Sequence, residues 1–111
     1  MFNFEKLNIY NDAKAFTKLI FSTLMYLKID KEIDNQIKRA AVSIVLNIAE
    51  GSTRGTKKQF NQFLWISQGS LSEVLAGFDL VKELFPLKKF DYQIIYEQGE
   101  ILAKKINKLI H

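Results

Sequence analysis

DKEIDNQIKRAAVSIVLNIAEGSTRGTKKQFNQFLWISQGSLSEVLAGFDLVKELFP, residues 30–86, reads as two long helices separated by one short glycine-bearing break. Asp30 is a helix-capping residue type, and the apolar positions after it recur at three- and four-residue intervals through Ile37, Ala40, Ile44 and Ile48. This helix runs to about Glu50, and Gly51 suits the left-handed residue that often follows a helix end. Thr56 and Gln59 then form a capping-box pair that opens the next helix, which lasts until Phe85 and is stopped by Pro86.

The same reading extends outward to both ends of the chain. A helix from Ile9 to Leu27 places Ile9, Ala13, Phe16, Ile20, Leu24 and Leu27 on one face and Asn11, Lys14, Lys18 and Ser22 on the other. Asp91 caps a last helix whose core stripe is Ile95, Leu102, Ile106 and Leu109. Opposite that stripe lie Glu97, Glu100, Lys104 and Lys108, with Glu100 and Lys104 at i,i+4 spacing. Five glycines and one proline in 111 residues leave little to break these helices. Short connections between long helices make neighbours antiparallel, so the expected fold is all-α, an up-down-up-down four-helix bundle in a single domain over residues 1–111.

An apolar fraction of 48% is enough for a packed core, and without cysteine neither a disulfide nor a thiolate metal site is possible. The start, MFNFEKLNIY, lacks a basic leader, an apolar stretch and a cleavage site, and no apolar run reaches about 18 residues. A cytoplasmic, non-membrane protein is therefore expected.

The two middle helices are more apolar than a bundle requires. Ile37, Ala40, Ala41, Val42, Ile44, Val45, Leu46, Ile48 and Ala49 cover an arc of roughly 240°, whereas a bundle helix needs little more than about 100°. The remaining polar stripe is Arg39, Ser43, Asn47 and Glu50. On the third helix Phe60, Phe63, Leu64, Leu71, Val74, Phe78, Val81 and Phe85 form one face, and Trp65, Ile66, Gly69, Ala76, Leu80 and Leu84 spread over another. Only Lys57, Asn61, Gln68, Ser72 and Asp79 read as solvated. Either both helices are simply deep in the bundle, or their second apolar face packs against another copy of the chain. Gly69, Ser70, Ala76 and Gly77 fit the second reading, because small residues allow helices to approach closely.

The string AAVSIVLNIAEGSTRGTKKQF, followed by FL and GSLSE, resembles the bacterial four-helix-bundle family that includes proteins encoded by intervening sequences in 23S ribosomal RNA genes. The resemblance is carried by Gln36, Arg39, Ala40, Ser43, Ile44, Asn47, Ile48, Ala49, Glu50, Gly51, Arg54, Phe60, Phe63, Leu64, Gly69, Ser70 and Glu73. Val45 stands where the family often has proline, and Leu27 to Asp30 replace a frequent aromatic-proline start of the second helix. The resemblance implies a ring-shaped homopentamer. It also implies kinship with the accessory protein of diversity-generating retroelements, a pentamer thought to bind nucleic acid beside a reverse transcriptase. A subunit contact that is not self-complementary would likewise close into a ring.

Catalytic chemistry finds little material. The only histidine is His111, so no His general base, triad or Glu-x-x-His metal motif can be assembled, and EGSTRGTKK lacks the spacing of a phosphate-binding loop. The expectation is a non-enzyme with no cofactor and no metal. Asn47, Glu50 and Arg54 form the densest polar group; they read either as a tie for the turn and a neighbouring interface or as a ligand or RNA contact. Glu73 has the same structural explanation.

Net charge is +4, from 16 basic and 12 acidic residues, and the topology polarises it. One end gathers Lys6, Arg54, Lys57, Lys58, Lys104, Lys105 and Lys108 against Glu5, Asp12, Glu50 and Glu100, seven against four. The other gathers five cations, Lys28, Lys31, Lys82, Lys88 and Lys89, against six anions. The cationic end either binds nucleic acid, most plausibly RNA, or is surface lysine kept for solubility. A further reading is an adaptor whose ring binds another protein, such as a reverse-transcriptase-like one.

Overall fold

Helices α1 (Asn8–Leu27), α2 (Lys31–Gly51), α3 (Lys57–Leu84) and α4 (Tyr92–Leu109) follow an N-terminal 3-10 turn at Asn3–Lys6 in the computed structural model. It describes residues 2–110 except for the side chain of Lys6; that side chain and His111, both named above, lie outside the described residues. α1 packs on α2, α2 on α3, α3 on α4 and α4 back on α1, while the backbones of the two diagonal pairs stay apart across the core. Each pairing runs antiparallel. Gln36 meets Glu73 while Ser43 meets Ser70, Gln68 reaches Ala103, and Asp12 near the start of α1 pairs with Lys105 near the end of α4.

α3, with 28 residues at about 1.5 Å each, spans most of the 47 Å long axis. The two ends of the bundle are thus separated by several Debye lengths at physiological salt, about 8 Å each, and present their charges independently.

The expected α1 stripe is the one that is buried: Ile9, Ala13, Phe16, Ile20, Leu24 and Leu27 all lie in the core. From α4, Ile95, Leu102 and Ile106 join them, with Leu109 half-buried against the same cluster. The caps of α3 and α4 form at the expected residues, but of the expected Thr56–Gln59 box only the Thr56 half is present among the described residues. Thr56 Oγ1 accepts from the Gln59 amide at 3.2 Å, and Asp91 Oδ1 accepts from the Ile94 amide at 3.1 Å, each satisfying one of the first-turn N–H groups left unpaired by helix geometry. α3 ends at Leu84, with Phe85 as its cap residue before Pro86.

Three residues at two chain reversals depart from expectation. Asp30 occupies the N-cap of α2, but its side chain makes no cap hydrogen bond; only its backbone carbonyl accepts, from the Asp34 amide at 2.9 Å. Gly51 is not left-handed: it is the last residue of α2, and no glycine among the described residues has positive φ. Its smallness serves a close approach, since a Cβ there would stand 2.8 Å from Phe63 Cβ and 2.9 Å from the Phe60 ring. The left-handed residue is Lys28, at φ 54°, whose amide bonds back to the Leu24 carbonyl at 3.1 Å and closes α1.

α2 and α3 share the most extensive interface. Ala40, Ala41, Ile44, Ser67 and Ser70 are buried there, and a Cβ on Gly77 would meet Ile37 Cγ1 at 2.7 Å. The polar atoms of this seam are paired: Ser67 Oγ donates to the Ile44 carbonyl at 3.0 Å, and the Ser43 and Ser70 hydroxyls lie 2.8 Å apart. Such pairing is what permits serine in a core. No helix of the described chain is long and apolar enough to cross a membrane.

Candidate nucleic-acid interface

The α2–α3 loop is tied by its own side chains. Ser52 Oγ donates to the Ala49 carbonyl at 2.6 Å and Thr53 Oγ1 to the Glu50 carbonyl at 2.7 Å, and the Ser52, Thr53 and Arg54 amides bond back to Ile48, Glu50 and Gly51. The last carbonyls of α2 therefore have partners. Asn3 Nδ2 donates to the Ser52 carbonyl at 3.3 Å, which holds the N-terminal turn against this loop.

Glu50 is a carboxylate in the last turn of α2, where the helix dipole disfavours it. The Arg54 guanidinium compensates by pairing with it, while lying over the Phe63 ring at 4.7 Å to the centroid. Asn47 looks inward along α2: its Nδ2 donates to the Ser43 carbonyl at 2.8 Å and to Ser43 Oγ at 3.0 Å. Gln36 Nε2 donates to Glu73 Oε2 at 2.6 Å, linking α2 and α3 across their outer edge. Arg39 is exposed on the same outer side of α2, beside Val42 and Ser43. The constellation Asn47, Glu50 and Arg54 therefore separates into an inter-helix network and a loop clamp.

The basic residues divide in the same way. Lys105 Nζ pairs with Asp12 Oδ2 at 3.1 Å, and Lys108 lies in the last turn of α4, where a cation suits the dipole. Lys57 and Lys58 have no such local reason. They are exposed in the first turn of α3, which contains no acidic residue, and form no ion pair among the described residues. Two cations at the positive end of a helix dipole raise one another's potential. At the far end, Lys82 pairs with Asp79 at 3.3 Å and lies over the Tyr92 ring at 4.0 Å. Burial, and then the nearby Asp79 carboxylate, push the Tyr92 phenol above its ordinary range.

Of the four small residues grouped on one face of α3, two belong elsewhere. Ser70 and Gly77 face α2, whereas a Cβ on Gly69 would meet nothing within 4 Å, and Ala76 is exposed. Gln68, expected in solvent, is half-buried and donates to the Ala103 carbonyl of α4 at 2.8 Å; Asn61 is half-buried too. The outer face of α3 exposes Trp65, Ile66, Leu80 and Leu84, and that of α2 exposes Val42 and Leu46.

Two features escape sequence reasoning. Phe2, Phe4 and Tyr10 form an aromatic ladder beside the α2–α3 loop, for which the only signal is the FNF spacing near the start of the chain. Ile94 and Ile101, outside the expected α4 stripe, are exposed along a groove of about 320 Å³ between α1 and α4. Among the described residues no cluster of three or more His, Cys, Asp or Glu side chains could hold a metal.

The family model described as 23S rRNA-intervening sequence protein matches residues 5–108 of this chain. A comparison with curated proteins finds no match.

Proposed function

The chain belongs to the 23S rRNA-intervening sequence protein family, and from that premise we propose that it is a non-enzymatic, self-associating helical bundle that binds RNA through the end bearing Arg54, Lys57, Lys58, Lys104, Lys105 and Lys108. The observation that carries this reading is the pair Lys57 and Lys58 at the start of α3, without an ion pair among the described residues and placed against the local dipole. Helix stability does not call for them there, whereas a phosphate backbone would.

The exposed Trp65, Ile66, Leu80 and Leu84 support self-association, with a homopentameric ring as the family-based expectation. Repetition around a ring would multiply the cationic end into a broad face. The same apolar residues favour the second reading, an adaptor that binds another protein through this face.

Binding to a structured RNA, followed by fluorescence anisotropy across a salt series, tests the reading. The triple change Arg54→Ser, Lys57→Ser, Lys58→Ser is expected to weaken binding strongly and to flatten the log–log salt slope by about 0.7 to 0.9 for each phosphate no longer neutralised. Lys28→Ser, Lys88→Ser, Lys89→Ser at the other end is expected to matter much less. Equal weakening by both triples would mean diffuse attraction. No RNA binding by the unmodified protein at about 50 mM salt would promote the adaptor reading.

A further inference from the structure

The N-terminal 3-10 turn is held in place at several points. Asn3 bonds to the Ser52 carbonyl, the Glu5 amide bonds to the Phe2 carbonyl at 3.2 Å, and Glu5 Oε1 accepts the Phe2 amide at 3.3 Å. On this turn the Phe2 ring lies at 14° to that of Phe4 with centroids 6.0 Å apart, and Phe4 packs on Tyr10 at 4.8 Å. Tyr10 belongs to α1 and carries the Lys14 ammonium at 4.8 Å from its ring centroid, so the ladder is anchored at its inner end. Its outer end is open: Phe2 is 69% exposed. The turn that carries this open ring lies against the α2–α3 loop, which bears Arg54 and Lys57. Between the turn and the α2–α3 loop lies a recess of about 290 Å³ lined by Asn3, Leu7, Arg54, Lys57 and Phe60.

We propose that this corner is a subsite for one unpaired nucleotide of single-stranded RNA, its base stacking on the open face of Phe2 and its phosphate held by Arg54 and Lys57. The subsite rests on the RNA-binding reading and narrows it to a class of RNA. Inside a duplex each base is covered by its neighbours, so along a strand the face that Phe2 needs comes from an unpaired base. An aromatic platform beside a cationic groove is the combination that binds single strands without sequence preference. Because Glu5 and Asn3 already position the turn, little ordering is left to the moment of binding.

Anisotropy with a labelled 12-nucleotide oligouridylate and a 12-base-pair RNA duplex at about 50 mM salt separates stacking from charge. Phe2→Ala and Phe2→Leu are expected to weaken single-strand binding about five- to a hundredfold, the range for one stacked base, and to leave duplex binding within about twofold. Phe2→Trp keeps single-strand affinity. All three leave the salt slope unchanged, since every cation that neutralises a phosphate is still present. Leucine binding as well as tryptophan, equal weakening on both RNAs, or undiminished single-strand binding would overturn the subsite while leaving the cationic interface standing. No binding of either RNA by the unmodified protein would overturn both.

Discussion

A methyl group added to Gly51 would stand 2.8 Å from Phe63 Cβ, an atom next to the backbone that moves only if α3 itself moves. The Phe60 ring at 2.9 Å closes the other side. Gly51→Ala is therefore expected to destabilise the fold by about 1–3 kcal/mol through overpacking, read as a thermal-melting shift of about 4–8 °C per kcal/mol. A variant that melts with the unmodified protein would show that the end of α2 and the start of α3 are not tightly packed. The position of this glycine at a helix end was legible in the sequence, but its reason was not. Glycine serves both positive φ and close approach, and only the return of Phe60 and Phe63 over α2 distinguishes them. Lys28 is the converse case: a left-handed residue with no glycine to announce it, kept there because its amide closes α1 on Leu24 against a local cost of about 1–2 kcal/mol.

Between α2 and α3 the polar atoms are the specific part of a close helix pair. Ser67 is fully buried yet satisfied by the Ile44 carbonyl, and Asn47 supports Ser43, which faces Ser70. Asn47→Ala removes donors from a half-buried site, and a stability decrease of about 1 kcal/mol is expected, with RNA affinity unchanged. Unchanged melting together with abolished RNA binding would instead make Asn47 part of the binding surface. Periodicity found the helices, most of their core stripes and the caps at Thr56 and Asp91, because those features depend on residues close in sequence. It misassigned Gln68 to solvent and grouped Ser70 and Gly77 with Gly69 and Ala76. The faces of α3 toward α2, α4 and the outside differ by small rotations, and residue type alone does not separate them where all are apolar or small.

For the whole molecule, topology turned a modest net charge into a usable expectation. Alternating helices bring the α2–α3 loop to the same end as the start of α1 and the end of α4, and the pairings of Asn3 with Ser52 and Asp12 with Lys105 meet at that end. The aromatic ladder there was not legible, because Phe2 and Phe4 acquire a place only when the N-terminal turn docks on a loop some fifty residues away in sequence. The outer face of α3 is an apolar feature that the single chain does not explain, with Ile66 at 49% and Leu80 at 48% exposure. If a second copy covers it, light scattering is expected to find an oligomer at micromolar concentration. Ile66→Asp with Leu80→Asp should dissociate that oligomer by placing carboxylates in an apolar interface. Within one chain both residues are half-exposed, so substitutions there should change the stability of the bundle itself by only about 0.5 kcal/mol each. Trp65, the only tryptophan, neighbours Ile66 and is 56% exposed in the single chain, so its emission should shift to the red as subunits part. A monomeric unmodified protein would remove the ring. An oligomer that survives both aspartates with its tryptophan emission unchanged would place the subunit interface elsewhere, with the α1–α4 groove bordered by Ile94 and Ile101 the next face to test.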